Sequence, residues 1–382
     1  MTLLSLLFTG DFAPCRKYEK IVLDKGKEVF GNLQPYISGA DLSFLNLETP
    51  LCLGAKEIKK TGPNFSAHPD CIKSVSDACY DIIGLANNHI MDFGAAGLQQ
   101  TLEVCTNEGL LTCGAGINLE KAQQPLFIDK FDLKLAFIAV AENEFSIASS
   151  TSPGAAPLDP VNTIYQIDIA RKQAEMVFIS IHGGNEYFPF PRPGLRKLCR
   201  FYIDYGADGV ICHHTHVPGA YELYNNKIIV YSLGNLIFDR NKQPSGWNEG
   251  YAVRLEYDTK THLLYSHEFI PYTQAVAQGG IIIMSEKEKI DFMKRLNAYS
   301  DTLHNADAYT EAWKNFCFRQ KKQLLFNMFF PLNFRGLGRL NKYLSLYKLM
   351  LKKSTLPHKK NILSCDSHLE ILKFILNKKC QL

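Results

Sequence analysis

The segment ICHHTHVPG, residues 211–219, sets His213, His214 and His216 directly after the apolar run Gly209–Cys212. Such a run is typical of a buried strand, and a cluster of imidazoles at its end provides candidate metal ligands. In an extended chain, residues two apart face the same side, roughly 6.5 Å from each other. We therefore expect His214 and His216 to face one pocket and His213 to point elsewhere, supporting the site from behind.

Short apolar, β-rich runs alternate with helical patterns over residues 1–240, which favours a layered α/β fold. The predicted strands are Leu3–Thr9, Asp41–Leu47, Asp81–Leu85, Leu135–Val140, Val177–Ile181 and Gly209–Cys212. The predicted helices are Gly94–Glu108 and Pro193–Tyr205. Beyond residue 218, two hairpins with turns at Asn225–Asn226 and Asp258–Thr261 predict antiparallel strands, as in a two-sheet sandwich flanked by helices.

The composition is that of a globular protein with a large core, since 46% of the 382 residues are apolar and 21% are charged. The eleven cysteines include no Cys-x-x-Cys pair, which argues against a zinc ribbon and favours a reducing compartment. The apolar run Thr2–Thr9 lacks a basic segment before it and is shorter than the roughly 20 residues of a membrane span. We therefore expect a cytoplasmic protein without a signal peptide or transmembrane segment.

The net charge of +4 is divided unevenly along the chain. From Lys314 onwards, 15 Lys and Arg residues and two acidic residues give +13, which leaves −9 for residues 1–313. This shift predicts a domain over residues 1–290 and a basic, mainly helical C-terminal extension over residues 291–382.

Within this extension, residues 336–353 have the spacing of a basic amphipathic helix, and residues 324–334 are unusually aromatic. Such a helix can pack on the main domain with its lysines in solvent, or it can lie on an anionic membrane surface. We expect no nucleic-acid partner, because no recognised nucleic-acid-binding module accompanies the charge.

Five segments share one layout, in which an apolar strand is followed by polar residues. They are Gly10–Asp11, Asn46–Glu48, Asn87–His89, His182–Glu186 and His213–His216. Ligands gather outside the carboxyl ends of strands in α/β sheets, so the five segments can converge on one crevice. Their carboxylates, amides and imidazoles suit Zn, Mn or Fe and lack the thiolates of a structural zinc site. Taken singly, each has an ordinary alternative, such as a turn, a helix cap or a buried hydrogen-bonded histidine.

Six longer segments match one known family in chain order: FTGD (8–11), ADLSFLNLETPL (40–51), YDIIGLANNHIMDFGAAGLQQTL (80–102), ISIHGGNEY (179–187), DGVICHHTHVPGAYE (208–222) and IIVYSLGNLIFD (228–239). The chain resembles the bacterial CapA family of capsule or poly-γ-glutamate synthesis proteins, whose domain is similar to a calcineurin-type metallophosphoesterase. The resemblance implies a four-layer α/β/β/α sandwich, followed here by the basic helical extension.

The resemblance also implies roles for individual residues. The metal ligands would be Asp11, Glu48 as a bridging carboxylate, Asn88, His182, His214 and His216. His89 would assist the leaving group or stabilise the transition state, and Glu186 would be a base or an outer ligand. Candidate substrate-binding residues are His213 and Asn235, and Asn235 has two alternatives: shaping the pocket floor or being an ordinary turn residue.

The chain departs from the family pattern at two places. Phe12 and Ala13 follow Asp11 where the wider pattern is Asp-x-His, so one metal position loses an imidazole and the number of ions, one or two, stays open. Gly183 stands where the family usually has Trp, which opens the pocket or changes what stacks there.

The implied activity is a metal-dependent hydrolase or transferase that acts in capsule, exopolymer or cell-envelope metabolism. Divalent ions lower the pKa of bound water towards about 7, which suits attack on a phosphoryl or acyl centre. The expected partners are an anionic polymer or phosphate-bearing substrate and capsule synthase subunits. Two alternatives are a cytoplasmic metallophosphoesterase on a small substrate and a non-catalytic, metal-containing scaffold subunit of a polymer synthase. An ATP-consuming ligase is not expected, because the sequence lacks a P-loop pattern.

Overall fold

Two β-sheets form the centre of the protein in a computed structural model that describes residues 2–329 except 61, 242 and 276–278, together with residue 344. The described strands are β1 (Leu3–Ala13), β2 (Leu42–Leu47), β3 (Ile82–Gly84), β4 (Leu111–Cys113), β5 (Ala115–Gly116), β6 (Leu126–Lys130), β7 (Leu133–Ala141), β8 (Gly154–Ala155), β9 (Met176–His182), β10 (Gly209–His213), β11 (Tyr221–Tyr224), β12 (Lys227–Val230), β13 (Asn235–Phe238), β14 (Glu249–Asp258), β15 (Leu264–Ala275) and β16 (Gly280–Ile283). The described helices are α1 (Lys17–Lys25), α2 (Gln34–Ser38), α3 (Cys71–Asp77), α4 (Gly94–Asn107), α5 (Leu119–Ala122), α6 (Pro160–Arg171), α7 (Pro193–Tyr205), α8 (Glu286–His304) and α9 (Ala306–Phe329), with a 3-10 segment at Gly26–Leu33.

Both sheets are mixed, and each has a parallel centre. The first sheet has the order β16-β15-β14-β1-β2-β3-β4, with β13 also paired to β1. The second has the order β11-β12-β10-β9-β7-β6, in which β12, β10, β9 and β7 are parallel. The central strands β2, β9 and β10 are buried along their whole length, which explains why they are apolar apart from Ser43, Asn46, Ser180 and the histidines that end β9 and β10.

Aromatic side chains fill the space between the two sheets. The Phe8 ring of β1 lies 6.5 Å from the Phe137 ring of β7 and 6.1 Å from the Phe178 ring of β9. Helices α6 and α7 pack on the second sheet, while α4 and the 3-10 segment pack on the first. Since the inner faces are occupied by these rings, the helices cover the outer faces, and the predicted four-layer α/β/β/α sandwich is confirmed.

The predicted strands and helices occur with small changes at their ends, and helix α7 has the predicted bounds. Asn225 and Asn226 have φ of 52° and 60°, as a two-residue hairpin turn requires. Both predicted hairpins are confirmed, since β11 pairs antiparallel with β12 and β14 with β15, but β12 also pairs in parallel with β10, and β13 pairs in parallel with β1. Hairpin signals report pairing between neighbours in the chain and not these long-range partners.

The chain divides into two compact units, residues 1–306 and 307–382. The boundary predicted at residue 290 falls inside α8, which begins with a capping box between Ser285 and Glu288 and belongs to the first unit. The amphipathic helix predicted over residues 336–353 lies outside the described residues, apart from residue 344. Among the described helices, none combines the length and the apolar character needed to cross a bilayer.

The backbone at Gly234 passes very close to Gly10 and leaves no room for a side chain there. A Cβ at this position would lie 2.1 Å from the Gly234 carbonyl oxygen, which accepts the Asp11 N–H at 3.1 Å. Gly10→Ala should therefore destabilise the fold by about 1–3 kcal/mol, as overpacking does. Gly194→Ala is the matched control, since a Cβ there meets nothing within 4 Å. Thermal melting measures both variants, and equal melting temperatures would contradict the prediction.

Candidate metal centre

The pairing register of the sheets brings the predicted ligands together. Asp11 lies opposite Asn46, which places Glu48 just beyond the end of β2, and His182 at the end of β9 lies opposite His213. Two groups of potential ligand atoms result, with all atoms of each group within 4.8 Å of one another. The first group is Glu48, His214 and His216, and the second is Asp11, Glu48 and His182. Glu48 belongs to both groups, which suits a carboxylate that bridges two ions.

The Glu48 carboxylate is fully buried, and neither of its oxygens has a hydrogen-bond partner among the described residues. Its Oε1 lies 3.5 Å from His182 Nε2 and 3.8 Å from His216 Nε2. Burial, reinforced by the neighbouring Asp11, raises the pKa of Glu48 well above its usual value. A buried carboxylate without donors is costly unless a cation compensates it. The surrounding carboxylates and imidazoles are donors that a divalent metal accepts, so the residues present fit a metal ion.

Asp11 is held in place by donors on several sides. The Asn46 Nδ2 group donates to Asp11 Oδ1 at 2.8 Å, and the His214 backbone N–H donates to Oδ2 at 3.2 Å. His213 Nδ1 lies 3.2 Å from Oδ1. Burial opposes ionisation, yet the contact with His213 and the nearby His182 and His216 hold the pKa of Asp11 below its ordinary value. Asp11 is therefore an oriented, ionised ligand candidate.

His213 belongs to neither group of ligand atoms, and its Nδ1 lies 3.2 Å from Asp11 Oδ1, as expected of a residue that supports the site from behind. Strand β10 ends at His213, and His214 and His216 have φ of 88° and 60°, because the chain turns to bring the His214 N–H to Asp11. Positive φ at such residues is strained and is found mostly at functional sites. The His213 side chain is wholly buried and stacks on Phe44 at 6.4 Å, so the geometry supports a positioning role behind Asp11 and not contact with substrate.

His182 lies at the centre of the ligand cluster. Its Nε2 is 3.1 Å from Asn88 Oδ1 and 3.2 Å from His214 Nδ1, while its Nδ1 is 3.3 Å from Asn46 Nδ2. Burial, reinforced by His214, lowers the pKa of His182 well below its usual value, and burial lowers that of His216 to about 4. Both rings are therefore neutral near pH 7, which is the form that binds metals.

His89 lies in the loop after β3 and contacts a carboxylate that the sequence analysis did not identify. Its Nδ1 is 2.7 Å from Asp92 Oδ2 and 3.1 Å from the Nζ of Lys60, which also forms an ion pair with Asp92. The Asn87 side chain accepts the His89 N–H at 3.1 Å and donates to the Leu47 carbonyl at 2.7 Å. The loop is thus tied to the end of β2. The sequence signal for Asp92 is its spacing of three residues from His89, which places both side chains on one turn.

The Asn235 side chain holds both the ring and the backbone of His216. Its Oδ1 is 3.0 Å from His216 Nδ1, and its Nδ2 donates to the backbone carbonyls of His216 and Trp247 at 3.3 Å and 3.0 Å. The side chain is fully buried, and both of its polar atoms are used by the protein. This favours the pocket-floor role over direct substrate binding.

Glu186 lines a cavity of about 400 Å³ that opens beside His216. Burial opposes its ionisation, but its hydrogen bond with Tyr187 and the nearby His216 hold the pKa of Glu186 below the usual value. An ionised carboxylate at this place can act as a base or as an outer metal ligand, as predicted, but not as a proton donor at neutral pH.

The sequence of this chain is similar to those of known capsule synthesis proteins. The sequence model of the family described as bacterial capsule synthesis protein PGA_cap matches residues 5–240. The "PGA biosynthesis protein CapA" of Bacillus subtilis (strain 168) is 33% identical over 251 residues, which cover 64% of each chain. The "Capsule biosynthesis protein CapA" of Bacillus anthracis is 30% identical over 254 residues, which cover 64% of this chain and 61% of that one. The chain thus spans less than two thirds of the length of these relatives. A solved phosphatase structure from Mycoplasma pneumoniae has a TM-score of 0.46 and 14% identity, covering 72% of this chain and 94% of that one.

Proposed function

This chain belongs to the bacterial capsule synthesis protein family PGA_cap, and from that premise we propose that it acts as a metal-dependent hydrolase or transferase in the synthesis of a capsule or poly-γ-glutamate-type exopolymer. The observation that carries the proposal is Glu48, a buried carboxylate without hydrogen bonds that is shared by two groups of ligand atoms. The names of the relatives support the biological setting, and the mixed oxygen and nitrogen ligands support one or two ions of Mn, Zn or Fe.

Each candidate residue of the metal centre has a role in the proposed reaction. Bound ions supply positive charge and Lewis acidity at the group being transferred. The residues that would hold them are Asp11, Glu48, Asn88, His182, His214 and His216. Asp92 fixes the His89 ring through Nδ1, so that the other ring nitrogen is left for the leaving group. Glu186 would accept a proton or act as an outer ligand.

His214→Ala and His216→Ala should each lower metal affinity by more than about tenfold, because each removes an imidazole from the ligand group formed by Glu48, His214 and His216. Metal content of the purified protein, measured by plasma mass spectrometry after equilibration with Mn²⁺ or Zn²⁺, tests this. The control is His262→Asn, which changes a histidine in the turn between β14 and β15. Metal content equal to the wild type in both variants would contradict the assigned ligands.

A panel of phosphodiesters, phosphomonoesters and γ-linked glutamate oligomers tests the activity itself. Turnover that requires metal supports a hydrolase or transferase. Metal binding without any turnover, combined with loss of capsule on deletion, would instead support a non-catalytic scaffold subunit. Turnover of small phosphomonoesters, with normal capsule on deletion, would support a plain metallophosphoesterase.

We also propose capsule synthase subunits as partners, which the names of the relatives support. The substrate is proposed to be an anionic polymer or a phosphate-bearing molecule. The cytoplasmic location, the membrane-surface contact of residues 336–353 and the lack of a nucleic-acid partner stay predictions.

A further inference from the structure

The cavity beside His216 combines two guanidinium groups with an aromatic wall. Its basic residues are Arg16 and Arg240, and its aromatic residues are Phe65, Tyr187, Phe238 and Trp247. At about 30 Å³ per water-sized group, its volume of about 400 Å³ has room for roughly a dozen non-hydrogen atoms. The cavity can therefore hold a recognition group of the substrate in addition to the atoms that react.

Arg16 is placed by an aromatic ring and by unusual backbone geometry. Its guanidinium carbon lies 4.8 Å from the centre of the Phe65 ring. The Phe65 N–H donates to Asp92 at 2.8 Å, and its ring lies 4.6 Å from that of His89, so Phe65 is held against the loop that carries His89. Arg16 has φ of 58°, a value that non-glycine residues rarely adopt and that is typical of functional positions.

The Arg240 guanidinium stacks on aromatic rings of the cavity other than Phe65. Its guanidinium carbon lies 5.0 Å from the Tyr187 ring and 5.1 Å from the Trp247 ring, and it donates a hydrogen bond to the Tyr187 hydroxyl. The Trp247 indole N–H donates to the Phe238 carbonyl at 2.9 Å, which holds the wall rigid. Within the described part of the chain, no ion pair to a carboxylate is formed by either Arg16 or Arg240.

We propose that Arg16 and Arg240 form a clamp that binds an oxyanion of the substrate, a carboxylate or a phosphate, beside His216. Stacking on aromatic faces leaves the N–H edges of a guanidinium available for the paired hydrogen bonds that oxyanions accept. The proposal rests on the proposed function, whose substrate class it specifies.

Two carboxylates also line the cavity and limit what it can bind. They are Glu186 and Asp239, and Asp239 is buried, with one oxygen that has no hydrogen-bond partner among the described residues. Their oxygens can accept an N–H from the ligand. A ligand that carries both an oxyanion and an N–H, such as an amide-linked carboxylate chain, can pair with both the arginines and the carboxyl groups of the cavity.

Calorimetric titration of the full-length protein tests the clamp with a γ-linked glutamate hexamer and, separately, with inorganic phosphate. Arg16→Gln and Arg240→Gln should each weaken binding by about 10- to 100-fold, since each removes charge-assisted hydrogen bonds. Arg240→Lys should be intermediate, because it keeps the charge but loses the planar fork. The control is Arg254→Gln, whose ion pair with Glu268 lies on the surface. A γ-linked glutamate hexamer whose free carboxyl groups have all been converted to amides should not bind.

The two probes identify the source of the oxyanion. Arginine-dependent binding of the hexamer supports a carboxylate, and arginine-dependent binding of phosphate alone supports a phosphate. Binding that is equal in the wild type, Arg16→Gln and Arg240→Gln overturns the clamp. Thermal melting of each variant identifies a loss that comes from misfolding, and Arg16→Lys then replaces Arg16→Gln.

Metal content and turnover of bis(p-nitrophenyl) phosphate, measured on the same samples, separate the clamp from the proposed function. Wild-type protein with metal and turnover that binds neither probe overturns the clamp and leaves the proposed function intact. Protein without turnover that still binds a probe through both arginines supports the clamp, while the hydrolase assignment fails.

Discussion

Glu48→Gln should remove metal from both ligand groups at once. Glu48 is the only residue common to the two groups found among the described residues, so its loss affects both, whereas His182 or His214 affects one. An amide is also a poorer ligand than a carboxylate for a divalent ion. We expect metal content to fall close to background after equilibration with Mn²⁺, and metal-dependent turnover to fall with it.

The same substitution should stabilise the protein after metal has been removed with a chelator. Without a cation, the wild type buries a carboxyl group that lacks hydrogen bonds, so its charged form is disfavoured in the folded protein, whereas the glutamine amide never carries a charge. The pKa of Glu48 lies above its ordinary value of 4.5 in the folded protein. At pH values between 4.5 and the pKa of the folded state, folding therefore takes up a proton. The unfolded carboxyl ionises there and the buried one does not, so the wild type loses about 1.4 kcal/mol per pH unit relative to the glutamine variant.

Denaturation of the chelated proteins between pH 4 and pH 8 measures this effect. The stability difference in favour of Glu48→Gln should be small near pH 4 and should grow as the pH rises. The control is Glu256→Gln, since the Glu256 carboxylate is hydrogen-bonded by Ser266 and lies in β14. A glutamine variant that is less stable than the wild type in chelator at every pH, or one that retains full metal content, would contradict the assignment of Glu48.

The convergence of ligands was predictable from sequence because it follows from how parallel strands pack. Glu48, His182 and His214 each lie at or just after the end of a strand whose apolar run is easily recognised. Parallel strands end at the same edge of a sheet, so the polar residues after them meet even when many residues separate them in the chain. The small changes at strand ends did not affect this result.

The direction of individual side chains was not predictable in the same way. Strand alternation does not extend to His214 and His216, because the chain leaves the strand geometry at His214, where a positive φ accompanies a contact with Asp11 from another strand. The amide of Asn46 acts through Asp11, a partner that no local pattern specifies. The arginine pair of the cavity is the extreme case, since Arg16 and Arg240 are 224 positions apart in the chain.

His89→Ala should lower kcat by about 100- to 10,000-fold while leaving the metal content unchanged. The His89 ring belongs to neither group of ligand atoms, and Asp92 and the loop around Asn87 hold it in place. Asp92→Asn should cause a smaller loss, because it removes the partner that orients the ring but keeps the imidazole. The control is His68→Ala, which changes a partly exposed histidine paired with Asp70.

Comparing the loss of activity of His89→Ala on substrates with different leaving groups distinguishes proton donation from other roles of His89. A p-nitrophenolate leaves readily without a proton, whereas an alkoxide does not, so a proton donor matters most for alkyl esters. The loss in His89→Ala should therefore be much larger with an alkyl phosphodiester than with bis(p-nitrophenyl) phosphate. Equal losses with both substrates would exclude proton donation and leave His89 as a group that stabilises charge in the transition state. An unchanged kcat with both substrates would remove His89 from the catalytic residues altogether.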